Sequence, residues 1–316
     1  WFSSLSYGGY FLLRLMYRYV VFAAVTMLFF LLFFLNFRVA SRYLAATGKP
    51  VAAAGKKTPV PDLVRMVRAG SMLVYGPLSL VLAVFVAYPA FGRWESFLFF
   101  LFGPAAGVAD PVFGKDAAFY LFSLPIYRLL QERLLLALLL LLTATGLLYG
   151  IERWMLRAQD KRFPRGARIH LNLLAVVLVA LQGWRFFLER YDLLYDTAHM
   201  PLFFGPGYTQ MTVTLPLIWA GLFTFVLAAA AVLFVVNFRK GWAAAAVLCV
   251  LFAAAFGLRQ TRILPETVQK YLVDPNELSK EAPYIASSVK ATLAAYDLGQ
   301  VETRAFSVEP VQRQET

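Results

Sequence analysis

The sequence predicts an all-α polytopic helical membrane protein with six spanning helices, short interfacial helices and an outer C-terminal amphipathic helix. Three observations carry this. Of 316 residues, 60% are hydrophobic and only 15% charged, against about 25% charged in a soluble domain. The mean hydropathy is +0.64. Six apolar runs reach about 20 residues, the helical length that crosses a hydrocarbon core of about 30 Å. An ordinary soluble enzyme, a disordered chain and a collagen-like or disulfide-rich fold are excluded, and the single cysteine, Cys249, cannot form an intrachain bridge.

The runs cover residues 19–37, 71–91, 133–151, 170–189, 212–236 and 241–258. The last has the shallowest signal, because Trp242 to Gly257 is short and Ala-rich. None shows the two-residue alternation of a transmembrane barrel strand. Inside the runs the polar residues are mainly Gln182, Thr143 and Thr145, with Pro77, Pro89 and Pro216 as kink positions. The start at Trp1, without an initiator Met or signal peptide pattern, and the end VQRQET both read as cuts.

Orientation follows from the cations. Arg38, Arg42, Lys49, Lys56, Lys57, Arg65 and Arg68 lie between runs one and two. Arg153, Arg157, Lys161, Arg162, Arg165 and Arg168 lie between three and four, and Arg239 and Lys240 between five and six. Only Asp62, Glu152 and Asp160 oppose them, whereas the other side balances its charges, so the net charge of +12 is an excess of these three loops. The positive-inside rule makes the loops cytoplasmic and places both ends outside. The high isoelectric point then reflects topology and attraction to anionic inner-leaflet lipid, rather than nucleic acid. In the first loop, residues 48–61 read as a flexible linker, and Asp62 caps a short interfacial helix with Leu63, Met66 and Val67 on one face.

The outer segments are the most distinctive. Trp94 to Phe102, WESFLFFLF, is too short to cross and reads as interfacial or re-entrant. In DPVFGKDAAFYLFSLP, Asp110 to Pro125, Asp116 is expected to cap a short aromatic helix and Ser123 a second one entered at Pro125. At the end of the fourth run, Arg185 and Glu189 share a helical face and can pair. The favoured reading is a helix-end anchor, and the alternative a polar element of a translocation path or an anion site. The turn Phe204 to Thr209 lacks the basic and hydroxyl residues of a phosphate loop. After the sixth run, Asp274-Pro275-Asn276-Glu277 reads as a strong helix start. Downstream, Ile285, Val289, Leu293 and Tyr296 form an apolar stripe, expected to pack near Phe119 and Tyr120, with 301–316 extended or disordered.

No catalytic set emerges. His170 and His199 lie near opposite ends of one run and Cys249 is isolated, so no zinc site is read. Asp110 with Asp116, or Asp192 with Asp196, could hold Ca²⁺ or act on a lipid head group, yet capping and turn chemistry explain each pair better. No cofactor is implied. The candidate functional polar residues are Gln182, Arg185, Glu189 and Asp192, and the outer motif residues are Asp110, Asp116, Asn276 and Glu277.

Several blocks carry a family resemblance: WFSSL with Tyr7, DPVFGKD-AAFYLF-SLP, Tyr191 to Tyr195 with FGPGYT, and VDPNELSKEAPYI continuing to Ala291-Thr292 and Ala295-Tyr296. In these the chain resembles the uncharacterised bacterial membrane-protein family UPF0182. The departures are Pro206 and Gly207, in a turn richer in small residues in that family, and Leu293 in place of an arginine, whose role therefore does not transfer. The resemblance implies an N-terminal multi-span domain one helix longer than here, then a large extracytoplasmic domain. It supplies no activity and no catalytic residues.

The resulting expectation is a transmembrane domain over 1–260 and the start of an extracytoplasmic domain over 261–316, in a bacterial plasma membrane. The leading function is a membrane anchor and assembly platform for an extracytoplasmic domain, with the bilayer and outer proteins as partners. The alternatives are a transporter or channel, then an envelope- or lipid-modifying enzyme at the outer interface.

Overall fold

Six long helices pack together, the first touching the second, third and fourth, and the third, fourth and fifth each packing on the next. The computed structural model describes residues 8–45, 72–157, 164–197, 199 and 203–298. The 48–61 linker, the interfacial helix at Asp62 and the 301–316 stretch lie outside the described residues. The long helices are α1 (Gly8–Ala45), α2 (Met72–Gly92), α4 (Leu124–Arg157), α5 (Arg165–Glu189), α6 (Leu215–Phe238) and α7 (Trp242–Gln260). Shorter ones are α3 (Trp94–Phe102), α8 (Ile263–Val268) and α9 (Glu277–Ala295). All six predicted runs form helices long and apolar enough to cross a membrane, and among the described residues no strand forms.

The inner faces explain why these helices associate. Phe29, Phe33 and Phe37 recur every four residues on α1, and meet Ala83 and Ala87 of α2, Ala137 and Leu141 of α4 and Leu174 of α5. Small residues on α2, with Ser79 buried one turn before Ala83, let two backbones approach closely enough for the phenyl rings to fill the gap. The outer faces are apolar as well: Leu28, Leu35, Phe85 and Val250 are all more than half exposed. In water such a perimeter would aggregate; in a bilayer it is solvated. The last helix, α7, has only Ala245 buried and leans on α6 through a Phe225–Phe252 ring contact at 5.5 Å.

Polar bonds inside the bundle fix how the helices are rotated. Tyr149 Oη lies 2.9 Å from His170 Nδ1, and His170 Nε2 lies 3.2 Å from Asn36 Oδ1, tying α4, α5 and α1 together. Asn172 donates to Asn237 at 2.6 Å, and Gln131 to the Leu181 carbonyl at 3.1 Å. Each such bond contributes about 0.6 kcal/mol in a membrane, so their value lies in specifying register.

Two local expectations change. Ser123 is no cap: residues 119–123 form a π-helical turn that runs straight into α4, with the Leu124 amide bonded to the Phe119 carbonyl. Asp274-Pro275-Asn276 does precede a helix, since α9 opens at Glu277, but the expected cap at Asp274 does not form. The chain is already helical from Ile263, and these residues form a 3₁₀ turn between a π-helical segment and α9. The proline, lacking an N–H, interrupts the incoming helix, and the backbone turns at Asn276, with φ −143°, immediately before α9 opens.

Candidate functional site

The distinctive segments meet at one end of the bundle, where the chain leaves and re-enters the spans. Three π-helical turns, over 119–123, 210–214 and 269–273, all lie here. Wide turns of this kind concentrate at functional sites.

Two aspartates build the loop between α3 and α4. Asp110 accepts from the amides of Val112 at 2.9 Å and Phe113 at 2.7 Å, and from the Tyr120 hydroxyl at 2.8 Å. Asp116 accepts from the amides of Ala118 at 2.7 Å, Gly107 at 2.9 Å and Ala106 at 3.0 Å. The expected cap at Asp116 therefore forms and gathers a second loop strand as well. The Ala118 amide first, then those of Ala106 and Gly107, hold the Asp116 carboxyl below its ordinary range. Gly107 and Gly114 take positive φ at the two bends of this hairpin. Behind it Phe119, Tyr120 and Phe113 pack edge-on against Tyr191, all at 5.1–5.8 Å between centroids.

An ionic cluster sits where α5 ends. Glu189 has Arg185 at 3.5 Å, as the four-residue spacing predicts, but its nearer partner is Arg259 of α7, at 2.7 Å. That guanidinium is out of line for a hydrogen bond to Oε2, so the contact is mainly electrostatic. Asp192 pairs with Arg128 of α4. Arg190 lies 3.9 Å over the Phe187 ring and donates to the Tyr191 hydroxyl at 2.6 Å. Gln182 is half-buried further down α5 and belongs to none of these ion pairs. Asn276 and Glu277 are exposed, and the Asn276 side chain makes no cap bond.

The most enclosed charged side chain among the described residues was not among the sequence candidates. Glu281 of α9 is 1% exposed, and its carboxylate oxygens lie 3.0 and 3.2 Å from the Tyr208 amide. Beside it, Gly207 N–H donates to Gln210 Oε1 at 3.1 Å, which fixes the amide orientation. His199 Nε2, 3.1 Å from the same oxygen, must then carry its proton and donate. Gly207 has no room for a side chain, since a Cβ there would overlap His199 Nε2 and Glu281 Oε2. Thr209 donates to Gln269 at 2.7 Å, and Gln269 to Asp274 at 3.0 Å. These bonds clamp α8, the following π turn and α9 onto the entrance of α6. Nothing in the sequence singled out Glu281, because its partner is 73 residues away and is a backbone amide.

The position of α9 corrects the expected docking. Tyr284, Ser288 and Thr292 line a cavity of about 490 Å³ with Pro206, Leu194 and Val112, so α9 rests by the 204–208 turn, not by Phe119 and Tyr120. Burial first, then Glu281 and Tyr208 nearby, raises the Tyr284 hydroxyl above its ordinary range. Val289, Leu293 and Tyr296 are exposed; Glu281, at a position the stripe does not include, sets the rotation of the helix. Among the described residues no three His, Cys, Asp or Glu side chains converge as a metal site.

The profile of the uncharacterised protein family UPF0182 matches residues 1–316. The chain belongs to this family. It is 49% identical to a UPF0182 protein of Syntrophobacter fumaroxidans and 45% identical to one of Nitrosococcus oceani, each over 97% of this chain and 35% of the relative. A UPF0182 protein of Moorella thermoacetica is 30% identical over 97% of this chain and 33% of its own length. The chain thus spans about a third of the length of the curated relatives it matches. No solved structure matches it. UPF0182 membership agrees with the resemblance in those blocks, which build the hairpin, supply Asp192 to the ionic cluster and supply Gly207, Tyr208 and Glu281 to the clamp.

Proposed function

We propose that this chain is a membrane anchor and assembly platform for an extracytoplasmic domain, held in the plasma membrane with the hairpin and clamp end outside. On this reading residues 1–260 are the membrane domain and 261–316 begin the outer one. The supporting observation is the clamp: a carboxylate with 1% exposure is placed on α9 to grip a backbone amide at the mouth of α6. Burying a carboxylate costs several kcal/mol unless it is well bonded, which is a poor way to stabilise a bundle but a specific way to fix where a following domain leaves it. The cations Arg38, Arg42, Arg153, Arg168, Arg239 and Lys240, at the opposite helix ends, support the orientation. Gln182 and Arg185, on which a transport reading would rest, do not line the cavity beside α9.

The test uses the full-length protein with a protease site inserted at Thr261. After cleavage in washed membranes, the segment carrying α9 should stay bound, and it should come off in the Glu281→Ala variant. Release from the unsubstituted protein would overturn the platform reading. Orientation is checked separately after Cys249→Ser: a cysteine at Lys290 should react with an impermeant maleimide in intact cells, and one at Lys240 should not.

A further inference from the structure

A second cavity, of about 300 Å³, lies between α1, α2, α3 and α4. Its floor is closed by Phe29, Val86, Ala87 and Ala90, each at most 3% exposed, while its rim residues Leu28, Leu101 and Leu130 are exposed on the lipid-facing perimeter. Phe97 and Phe100 of α3 flank it. Every lining side chain is apolar except that of Arg133. The volume equals about ten waters, but water needs two to four polar partners to stay, so an apolar cavity of this kind is dry. Opening on the perimeter, it is suited to hydrocarbon.

Arg133 distinguishes this cavity from a mere packing defect. Its Nε is buried without a hydrogen-bond partner. Among the described residues its ion pair is with the adjacent Glu132 at 3.8 Å, the Arg133 side chain being 30% and that of Glu132 57% exposed. Arg133 opens the apolar run 133–151, and an arginine at the edge of a hydrophobic span faces a partner or snorkels to one. The two features together describe an amphiphile: a chain for the groove and an anion for the guanidinium. We propose that this pocket binds an acyl chain of an anionic phospholipid from the leaflet on the α3 side, with Arg133 reaching up to its phosphate. The apolar walls set the chain's position and Arg133 contacts the phosphate. Because both head groups carry the same phosphodiester, selection comes from net charge, the choline cation of a zwitterionic lipid repelling the guanidinium.

The experiment is native mass spectrometry of the full-length protein in detergent, titrated with phosphatidylglycerol or phosphatidylcholine of identical chains. Phosphatidylglycerol should bind at least tenfold tighter. In Arg133→Gln the two lipids should become equal within about twofold, while Arg133→Lys keeps a preference. Ala90→Phe, which fills the floor, should weaken both lipids. Equal binding of the two lipids by the unsubstituted protein overturns the proposal whatever the variants do. So does a phosphatidylglycerol preference unchanged in a folded Arg133→Gln protein, or lipid binding unaffected in a folded Ala90→Phe protein.

Discussion

Replacing Glu281 by alanine removes both oxygens that the Tyr208 amide reaches, at 3.0 and 3.2 Å, in a place with 1% exposure at the carboxylate. A hydrogen bond to a charged group contributes about 1.5–3 kcal/mol, and an orphaned buried donor costs about 1–3 kcal/mol. These describe the same loss from two sides, so they are not added. Against them stands the relief of no longer burying a charge, which brings the expected net to the lower half of that range, about 1.5–2 kcal/mol. At 1.36 kcal/mol per tenfold, that is a roughly ten- to thirtyfold shift from docked to undocked α9. Hydrogen exchange reads it directly: protection of the Tyr208 amide and of the α9 amides should fall together by that factor, while α1 and α2 amides stay unchanged. Glu281→Gln keeps an acceptor oxygen and should lose less than alanine does. Equal protection at Tyr208 in the alanine and unsubstituted proteins, or a glutamine variant worse than alanine, would refute the clamp.

Gly207→Ala should loosen the same clamp without removing any of its bonding groups, because the new Cβ overlaps His199 Nε2 and Glu281 Oε2 and displaces them; overpacking of this kind costs about 1–3 kcal/mol, read as a lowered Tm. Arg185→Leu should be nearly silent, about 0–1 kcal/mol as for exposed pairs, because Glu189 keeps Arg259. Arg259→Leu should cost more, short of the about 3–5 kcal/mol of a fully buried pair, and a larger loss for Arg185→Leu in a thermal melt would reverse the assignment. The Asp116 carboxyl is lowered in the fold, so the stability it contributes is full above the ordinary carboxylate value of about 4 and fades as the pH falls through its lower folded value. Limited proteolysis at Lys115 should accelerate on acidification through that window in the unsubstituted protein, whereas Asp116→Asn should lack this pH step.

What could be read from the sequence was local. Six spans, the shallow signal of α7 and the cap at Asp116 depend on residues within a turn or a run of one another, and the length of apolar run that a span needs is set by bilayer thickness. The pairing of Arg185 with Glu189 also follows from helical spacing. Breaks were less legible: Ser123 and Asp274 carry capping chemistry, yet the chain was already helical before each, and a cap residue acts only where a helix has free amides to satisfy. The long-range polar partners were not legible at all. Arg259 reaches Glu189 across 70 residues, Arg128 reaches Asp192 across 64, and Glu281 meets a backbone amide 73 residues back. In a bundle whose faces are apolar on both sides, hydrophobicity does not say which way a helix turns. That choice is made by small residues, such as those of α2, that admit phenyl rings, and by a few polar groups that must find each other, so rotation, register and the site they assemble exist only in the tertiary structure.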